Sequence, residues 1–186
     1  MLRDLITRNR SYRRFHQDAI NIETLRELVD LARQSASGAN LQPLKYILSC
    51  GSKSNALIAP FVGLGGNPPA EERPTAYVII LGDKTIRENF GCDHGIAAQS
   101  ILLGATEKGV GGCIVGNVKR DDLRQALSIP DDLEILLVLA IGKPKETSVI
   151  EASGVDGSVK TYVDARGVRH VPKRAMTEII VSQFDT

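Results

Sequence analysis

The sequence has no tryptophan, and its 186 residues include only 4 tyrosines and 4 phenylalanines. So few aromatic side chains argue against a protein that binds single-stranded nucleic acid by base stacking. Three cysteines, an odd number, do not suggest a disulfide framework. No apolar run approaches the roughly 20 residues that span a bilayer, and the first ten residues lack the apolar core of a secretory signal. We therefore expect a reduced, cytoplasmic, single-domain protein that binds neither membranes nor nucleic acid.

Net charge is also scarce, since the formal total is only +1. A histone-like nucleic-acid binder would be strongly basic. The charge is nevertheless unevenly distributed: residues 1–14 carry five arginines and one aspartate, and residues 166–174 carry four basic side chains and no acid. Each segment thus has a net charge of +4, and the rest of the chain has −7. If the two basic ends meet in the folded protein, they form a site for a compact anion.

Apolar residues at helical spacing predict five helical segments. The pattern of Leu2, Leu5 and Ile6 predicts a short first helix. Asn21 is a suitable N-cap for a second helix, which we expect to end between Gln34 and Gly38. The remaining segments are residues 54–61, 93–108 and 119–127. Of these, 93–108 is small and apolar on nearly every side, which is typical of a helix in a core or an interface.

Three apolar runs predict strands, at residues 45–50, 76–81 and 133–141. The last two runs are continuous, which is typical of strands buried on both faces. Glycine and proline predict a loop over residues 62–74. We expect an irregular excursion over 145–158, a turn at Arg166-Gly167 and an apolar segment over 176–181. The predicted class is α+β, with at most three layers.

Three segments carry groups suited to ligand binding. Residues 10–15 contain arginines and a serine, which bind phosphate oxygens well, although a solvated helix end has the same composition. Residues 35–43 offer hydroxyl, amide and backbone groups to the polar edge of a heterocycle, or simply end a helix. Residues 109–116 contain four glycines and predict a loop whose backbone can approach a flat ligand. This loop is not a dinucleotide fingerprint, because it follows a helix and Ile114 stands at the third glycine position.

In this order, the segments resemble the FMN-dependent nitroreductase family over nearly the whole chain. The resemblance implies a three-layer α-β-α sandwich with a mainly antiparallel central sheet, in which residues 1–186 form a single flavin-binding domain. It also implies a domain-entwined homodimer, whose core is the helix that opens with Asp93 and Gly95. FMN would be the cofactor, which explains basic residues at both ends of the chain.

The resemblance further implies which residues bind the cofactor. In the family, an R-S-x-R element binds the ribityl phosphate and the pyrimidine edge, and a small-residue turn ending in N-x-Q-P lines the isoalloxazine. A glycine-containing loop, here at 112–116, covers one edge of the flavin, and a C-terminal basic pair binds the phosphate. The residues are Arg10, Ser11, Arg13, Ser37, Gly38, Asn40, Gln42, Cys113, Ile114, Gly116, Lys173 and Arg174. The chain departs from the family pattern at Asn9, Ala36 and Leu44. It is also short for the family, and the loop at 62–74 is the candidate lid.

By resemblance, the protein is an oxidoreductase that takes a hydride from NADH or NADPH and then reduces a small electron-poor acceptor by a ping-pong route. Nitroaromatics, quinones and flavins are the implied acceptors. The flavin carries the chemistry, so we expect no catalytic side chain, and Arg13 is the candidate to stabilise the reduced ring. One alternative is a non-catalytic flavin carrier or sensor on the same fold. A nucleic-acid-binding module is the other, which the composition disfavours.

Neither the run Cys92-Asp93-His94 nor Cys113 predicts a further site. Cys92-Asp93-His94 resembles a metal cluster, but no second pair at ligand spacing completes a tetrahedral set, so we expect no metal. Cys113 has no histidine or acid near it in sequence, which favours a packing residue over a nucleophile.

Overall fold

The computed structural model describes residues 1–155 and 157–185. These residues form two compact units, residues 1–145 and the described residues from 146 onward. The assignment of the whole chain to a single domain stays a prediction. Across the described ranges, no helix is both long and apolar enough to cross a membrane.

The first unit contains five α-helices. They are α1 (Leu2–Arg8), α2 (Ile22–Arg33), α3 (Ser52–Ile58), α4 (Asp93–Glu107) and α5 (Arg120–Leu127). All five lie where the sequence predicts helical segments. Asn21 caps α2 as expected, because its side-chain oxygen accepts a hydrogen bond from the backbone nitrogen of Thr24 at 2.7 Å.

Five strands form the sheet of the first unit. They are β1 (Phe15–His16), β2 (Leu44–Ser49), β3 (Ala76–Asp83), β4 (Gly111–Val115) and β5 (Leu133–Pro144). The order is β1-β5-β3-β2, β4 also pairs with β5, and every pairing is antiparallel. This confirms the predicted antiparallel sheet.

Side chains of β3 alternate between two apolar cores, one on each face of the sheet. Val78 and Ile80 pack in the core that contains the buried residues of α2 and α4. Tyr77 and Ile79 point the other way, into the core that contains the buried residues of α3 and α5. The unit is therefore a three-layer α-β-α sandwich, as predicted.

Two predictions of irregular structure are wrong. The glycine-rich stretch 109–116 is not a loop throughout, because Gly111–Val115 form β4 and pair with β5. Its glycines hid an alternation in which Cys113 and Val115 are buried while Ile114 is exposed. The excursion at 145–158 likewise contains a strand, β6 (Thr147–Ala152).

The second unit is a three-stranded sheet with a short helix. In addition to β6, it contains β7 (Tyr162–Val163), β8 (Val168–Lys173) and α6 (Met176–Ile179). The central strand β8 pairs parallel with β6 and antiparallel with β7. The predicted turn between β7 and β8 is confirmed, with a left-handed Gly167 at φ 78°.

Candidate functional site

The segment that carries Arg10, Ser11 and Arg13 lies against the first residues of β4. The backbone nitrogen of Tyr12 donates to the carbonyl oxygen of Gly112 at 3.0 Å, and Ser11 forms a parallel bridge with Gly112. A Cβ added at Gly111 would lie 2.6 Å from the Tyr12 ring. Close approach at these glycines therefore fixes the arginine segment on the sheet.

Arg10 is a half-buried cation with an unused donor. Its Nη2 donates to the carbonyl oxygen of Ile6 at 2.5 Å. Its Nε is buried and has no hydrogen-bond partner within the described part of the chain. Burial lowers the pKa of Arg10, and a nearby tyrosine, Tyr12, opposes this effect. A desolvated guanidinium with an unfilled donor is the electrostatic complement of an anion, so Arg10 suits the phosphate or the pyrimidine edge of FMN.

The loop over residues 62–74 reaches Arg13. A Cβ added at Gly65 would lie 3.4 Å from Nε of Arg13. Next to this contact, the backbone nitrogen of Gly63 donates to the carbonyl oxygen of Asn117 at 2.8 Å, just beyond the end of β4. The candidate lid thus connects the arginine segment with the chain that follows β4.

Ion pairs hold the C-terminal end of the same loop. The Glu72 carboxylate accepts from Lys145 Nζ at 2.9 Å and also binds Arg14. The hydrogen bonds from Lys145 and Arg14 hold the pKa of Glu72 below its usual range, although partial burial opposes them. The loop is therefore anchored at both ends, and its middle, residues 64–69, is the part that could cover a ligand.

The turn with Ser37 and Gly38 is fixed by the buried carboxylate of Asp93, the first residue of α4. Oγ of Ser37 donates to one Asp93 oxygen at 2.6 Å, and the backbone nitrogen of Gly38 donates to the other at 3.0 Å. Ser37 Oγ also accepts from the backbone nitrogen of Gln42 at 3.0 Å. A single acid thereby closes the turn onto the helix.

The turn is strained at three positions. Ala39, Asn40 and Gln42 have φ values of 51°, 55° and 51°. This left-handed region is costly for residues with a Cβ, and such residues cluster at functional sites. The side chain of Gln42 donates to Oδ1 of Asn40 at 3.2 Å, so the two amides lie side by side.

The turn and the glycine of β4 that holds the arginine segment contact different parts of α4. The turn meets α4 at Asp93, whereas a Cβ added at Gly112 would lie 2.8 Å from the side chain of Leu102. Leu102 lies nine positions after Asp93, which is about 14 Å along a helix. The structure therefore assembles Arg10, Ser11 and Arg13 with β4 and the candidate lid, and holds the turn at the other end of the helix.

Strand β4 offers the site its backbone and one side chain. Cys113 is only 5% exposed and packs in the apolar core, so its thiol faces away from solvent and it can contribute backbone groups alone. Ile114 is 41% exposed. Gly116, just after β4, has open space where a Cβ would stand. Close approach of a flat ligand is possible at Gly116.

Lys173 and Arg174 belong to the second unit. Lys173 ends β8, where its carbonyl oxygen accepts from the backbone nitrogen of Ser153 at 2.9 Å. Arg174 is exposed and donates to Oε1 of Glu178 at 3.4 Å. A solvent-exposed pair of this kind is weak, so Glu178 does not prevent Arg174 from binding a phosphate. The expected clamp between the two basic ends stays a prediction.

Two contributors were missed in the sequence. The resemblance assigned Asp93 to a dimer core, yet its carboxylate organises the turn at 37–42; an acid at the first position of an apolar helix is the signal that could have indicated a buried partner. Gly65 was assigned only to the loop and candidate lid at 62–74, and nothing in the sequence indicates that it lies beside Arg13.

Solved structures share this fold. A nitroreductase family protein from Clostridium novyi NT superposes with a TM-score of 0.69 and 25% identity, covering 78% of this chain and 86% of the other. A nitroreductase family protein from Streptococcus pneumoniae TIGR4 gives a TM-score of 0.71 at 16% identity, over 87% and 100%. An FMN-dependent nitroreductase from Clostridium difficile R20291 gives 0.63 at 20% identity, over 76% and 87%. The architecture is that of the nitroreductase fold.

The sequence comparison identifies the family. The model of the nitroreductase family matches residues 6–63 and 52–143, well over half of the chain. The chain belongs to the nitroreductase family. An NADPH-dependent oxidoreductase from Staphylococcus epidermidis is 22% identical over 165 residues, which cover 77% of this chain. The match spans 64% of that relative, so this chain corresponds to less than two thirds of it.

Proposed function

We propose that the protein is an FMN-dependent oxidoreductase that uses NADH or NADPH to reduce a small electron-poor acceptor. The observation that carries the proposal is Arg10, a half-buried cation whose Nε has no partner among the described residues, next to the close-packed glycines of β4. Membership of the nitroreductase family supports it. So do an FMN-dependent nitroreductase among the structural neighbours and an NADPH-dependent oxidoreductase among the sequence relatives.

In this proposal each part of the site has a distinct task. Arg10 and Ser11 bind the phosphate, and Arg13 compensates negative charge at the pyrimidine edge. Bound FMN would supply the two-electron chemistry, accepting a hydride and passing it on. The turn at 37–42 and Gly116 orient the planar ring. The nicotinamide and the acceptor occupy the same space in turn, which is a ping-pong order.

We also propose that two chains form the working unit. The turn meets α4 at Asp93, whereas Gly112, against which the arginine segment lies, meets it at Leu102. These two positions are about 14 Å apart along the helix, so one chain presents the two segments at separate places. On the outer side of α4, Gly95 has open space around it and Gln99 is exposed. A two-fold axis that crosses two antiparallel copies of α4 would bring the turn of one protomer to the arginine segment of the other.

Removal of the Arg10 guanidinium tests the cofactor assignment. Loss of a charge-assisted hydrogen bond costs about 1.5–3 kcal/mol, so Arg10→Ala should bind FMN roughly 10- to 100-fold more weakly. Fluorescence titration of the purified protein measures this affinity. Arg26→Ala is the matched control, since Arg26 pairs with Glu23 on the exposed face of α2. Equal FMN affinity in wild type and Arg10→Ala would contradict the assignment.

Stopped-flow reduction separates the enzyme from its alternative. An oxidoreductase loses the oxidised-flavin absorption rapidly after mixing with NADH or NADPH. A flavin carrier or sensor would bind FMN with the same dependence on Arg10, but both nucleotides would leave the flavin oxidised.

A further inference from the structure

A cavity of about 340 Å³ lies in the first unit, away from the residues assigned to FMN. It opens between α3 and the start of β3, and its walls include Ala56, Ala59 and Pro74. None of the predicted cofactor-binding residues lines it. Its volume is at the lower end of the range of small-molecule sites, roughly 300–1,000 Å³.

One unused hydroxyl group belongs to this cavity. Oγ1 of Thr75 is buried and has no hydrogen-bond partner within residues 1–155 and 157–185. Tyr77, which is 2% exposed, lines the cavity beside Thr75. Because a buried polar group without a partner is costly, the Thr75 hydroxyl indicates a place where a polar ligand would be stabilised.

The neighbouring amide holds the wall of the cavity in place. Asn55 Nδ2 donates to the carbonyl oxygen of Thr75 at 2.8 Å, and its Oδ1 accepts from Oγ of Ser49 at 2.6 Å. These hydrogen bonds join α3 to the residue that precedes β3. The Thr75 hydroxyl therefore lies in a wall that side-chain hydrogen bonds fix.

The cavity is also lined by a cation. Arg73 is exposed to solvent at the edge of the cavity, and among the described residues no carboxylate forms an ion pair with it. Burial raises the pKa of Tyr77 to about 12, and the positive charge of Arg73 partly opposes this rise. The adjacent Glu72 does not compete, because Arg14 and Lys145 hold its carboxylate.

We propose that this cavity is a second ligand site, specific for a small organic carboxylate whose apolar body packs against Ala56, Ala59 and Pro74. A planar guanidinium matches a carboxylate with two parallel hydrogen bonds, and the Thr75 hydroxyl completes the polar end. A single arginine with apolar walls suits a monoanionic carboxylate better than a phosphate dianion. The proposal does not depend on flavin binding.

Calorimetric titration of the FMN-saturated protein with benzoate tests the site. We expect saturable binding of one benzoate per chain, with about tenfold or greater loss of affinity in Arg73→Ala. The matched control Arg26→Ala should bind like wild type. Benzamide, which has the same shape without the charge, should bind at least about tenfold more weakly than benzoate. Absence of saturable benzoate binding, or equal affinity for benzoate and benzamide, would overturn the proposal even if Arg73→Ala fails to fold.

Cys50 reports where the benzoate binds, because this free cysteine lines the cavity. Bound benzoate should slow the alkylation of Cys50 by iodoacetamide, measured by peptide mass spectrometry, while the rate at the exposed Cys92 is unchanged. Ala56→Phe should fill the cavity and abolish both protection and binding. Three observations together would show that benzoate occupies the flavin site instead: a perturbed flavin spectrum, no protection of Cys50, and the same affinity for Arg73→Ala as for wild type. This outcome would refute the second site.

Discussion

Asp93 positions more of the candidate site than any of the arginines does. Its side chain is buried in the fold, with the residue only 3% exposed. Burial raises the pKa of Asp93, but the hydrogen bonds from Ser37 and Gly38 and the charge of Arg87 outweigh it, so the pKa lies below its usual value. A buried carboxylate is tolerated here because both oxygens accept hydrogen bonds. Its ionised form is thus part of the folded turn.

Substitution of Asp93 by asparagine should destabilise the first unit in a pH-dependent manner. Replacement of the charge weakens two charge-assisted hydrogen bonds, and we expect a loss of about 2 kcal/mol in the free energy of unfolding at pH 7. Because the folded pKa is depressed, the carboxylate's contribution is complete above the unfolded value near 3.8 and is lost as the pH falls through the lower, folded value. The difference in unfolding free energy between wild type and Asp93→Asn should therefore shrink as the pH falls below 3.8.

Urea unfolding between pH 7 and pH 3 measures this difference. Asp121→Asn, at an exposed position in the first turn of α5, should leave stability within about 0.5 kcal/mol of wild type. A constant difference between wild type and Asp93→Asn over the whole pH range would show that the ionised carboxylate has no special role.

At the scale of elements, β4 shows why Gly112, within the strand, and Gly116, just after it, differ in their tolerance to substitution. A Cβ at Gly112 would lie 2.6 Å from the backbone oxygen of Ala140 and 2.8 Å from Leu102, whereas a Cβ at Gly116 would meet nothing within 4 Å. The Ala140 oxygen belongs to β5, which pairs with β4 and cannot move independently. Close packing at Gly112 is therefore a requirement of the sheet.

Gly112→Ala should lower the free energy of unfolding by about 1–3 kcal/mol, because overpacking against backbone forces the strands apart. Gly116→Ala should change it by less than about 0.5 kcal/mol. Chemical denaturation of both variants measures the effect. Equal stabilities of the two variants would contradict the close packing of β4 on β5.

The sheet of the second unit contains a histidine between two acids. His170 Nδ1 lies 2.7 Å from Oε2 of Glu151, its Nε2 lies 3.5 Å from Oδ2 of Asp164, and its ring stacks on Tyr162 with centroids 4.6 Å apart. The hydrogen bond with Glu151 raises the pKa of His170, burial opposes it, and Asp164 raises the pKa further. Protonated His170 thus joins β6, β8 and the turn that precedes β8.

We expect the ring protons of His170 to titrate in NMR with a midpoint above the ordinary value of 6.5. Since the folded pKa is raised, the stabilisation from this cluster is complete below pH 6.5 and is lost as the pH rises through the folded value. Glu151→Gln should lower the midpoint, whereas Glu178→Gln, on α6, should not move it. His170→Asn assigns the resonance. A midpoint at or below 6.5 in the wild type would contradict the cluster.

At the scale of the whole molecule, the elements with a periodic apolar pattern could be predicted from the sequence, whereas contacts between residues distant in sequence could not. The helices and the buried strands β3 and β5 follow from apolar spacing, since burial dictates it. Strand β4 was missed because four glycines in eight residues carry little periodic signal. The resemblance indicated which residues belong to the site, but the roles of Asp93 and Gly65 depend on partners distant in sequence, which no local pattern encodes.

A dimer in which each flavin site draws on both chains makes one prediction that a site within a single chain does not. Arg10→Ala and Asp93→Asn damage different parts of the site, and each homodimer should bind FMN weakly. In a heterodimer of the two variants, one shared site would carry both defects and the other none. The heterodimer, purified through two different affinity tags, should therefore bind one FMN per two chains with the affinity of the wild type.

Fluorescence titration of that heterodimer, with its mass checked by light scattering, measures the recovery. A heterodimer of Arg10→Ala and Arg13→Ala is the matched control: both substitutions lie in the same segment, so each shared site keeps one defect and no recovery is expected. If each chain held a complete site, neither heterodimer would recover, because every chain would retain its own defect. Recovery in the Arg10→Ala/Asp93→Asn heterodimer alone would therefore show that a flavin site combines the turn of one chain with the arginine segment of the other, which lie about 14 Å apart along α4 within one chain.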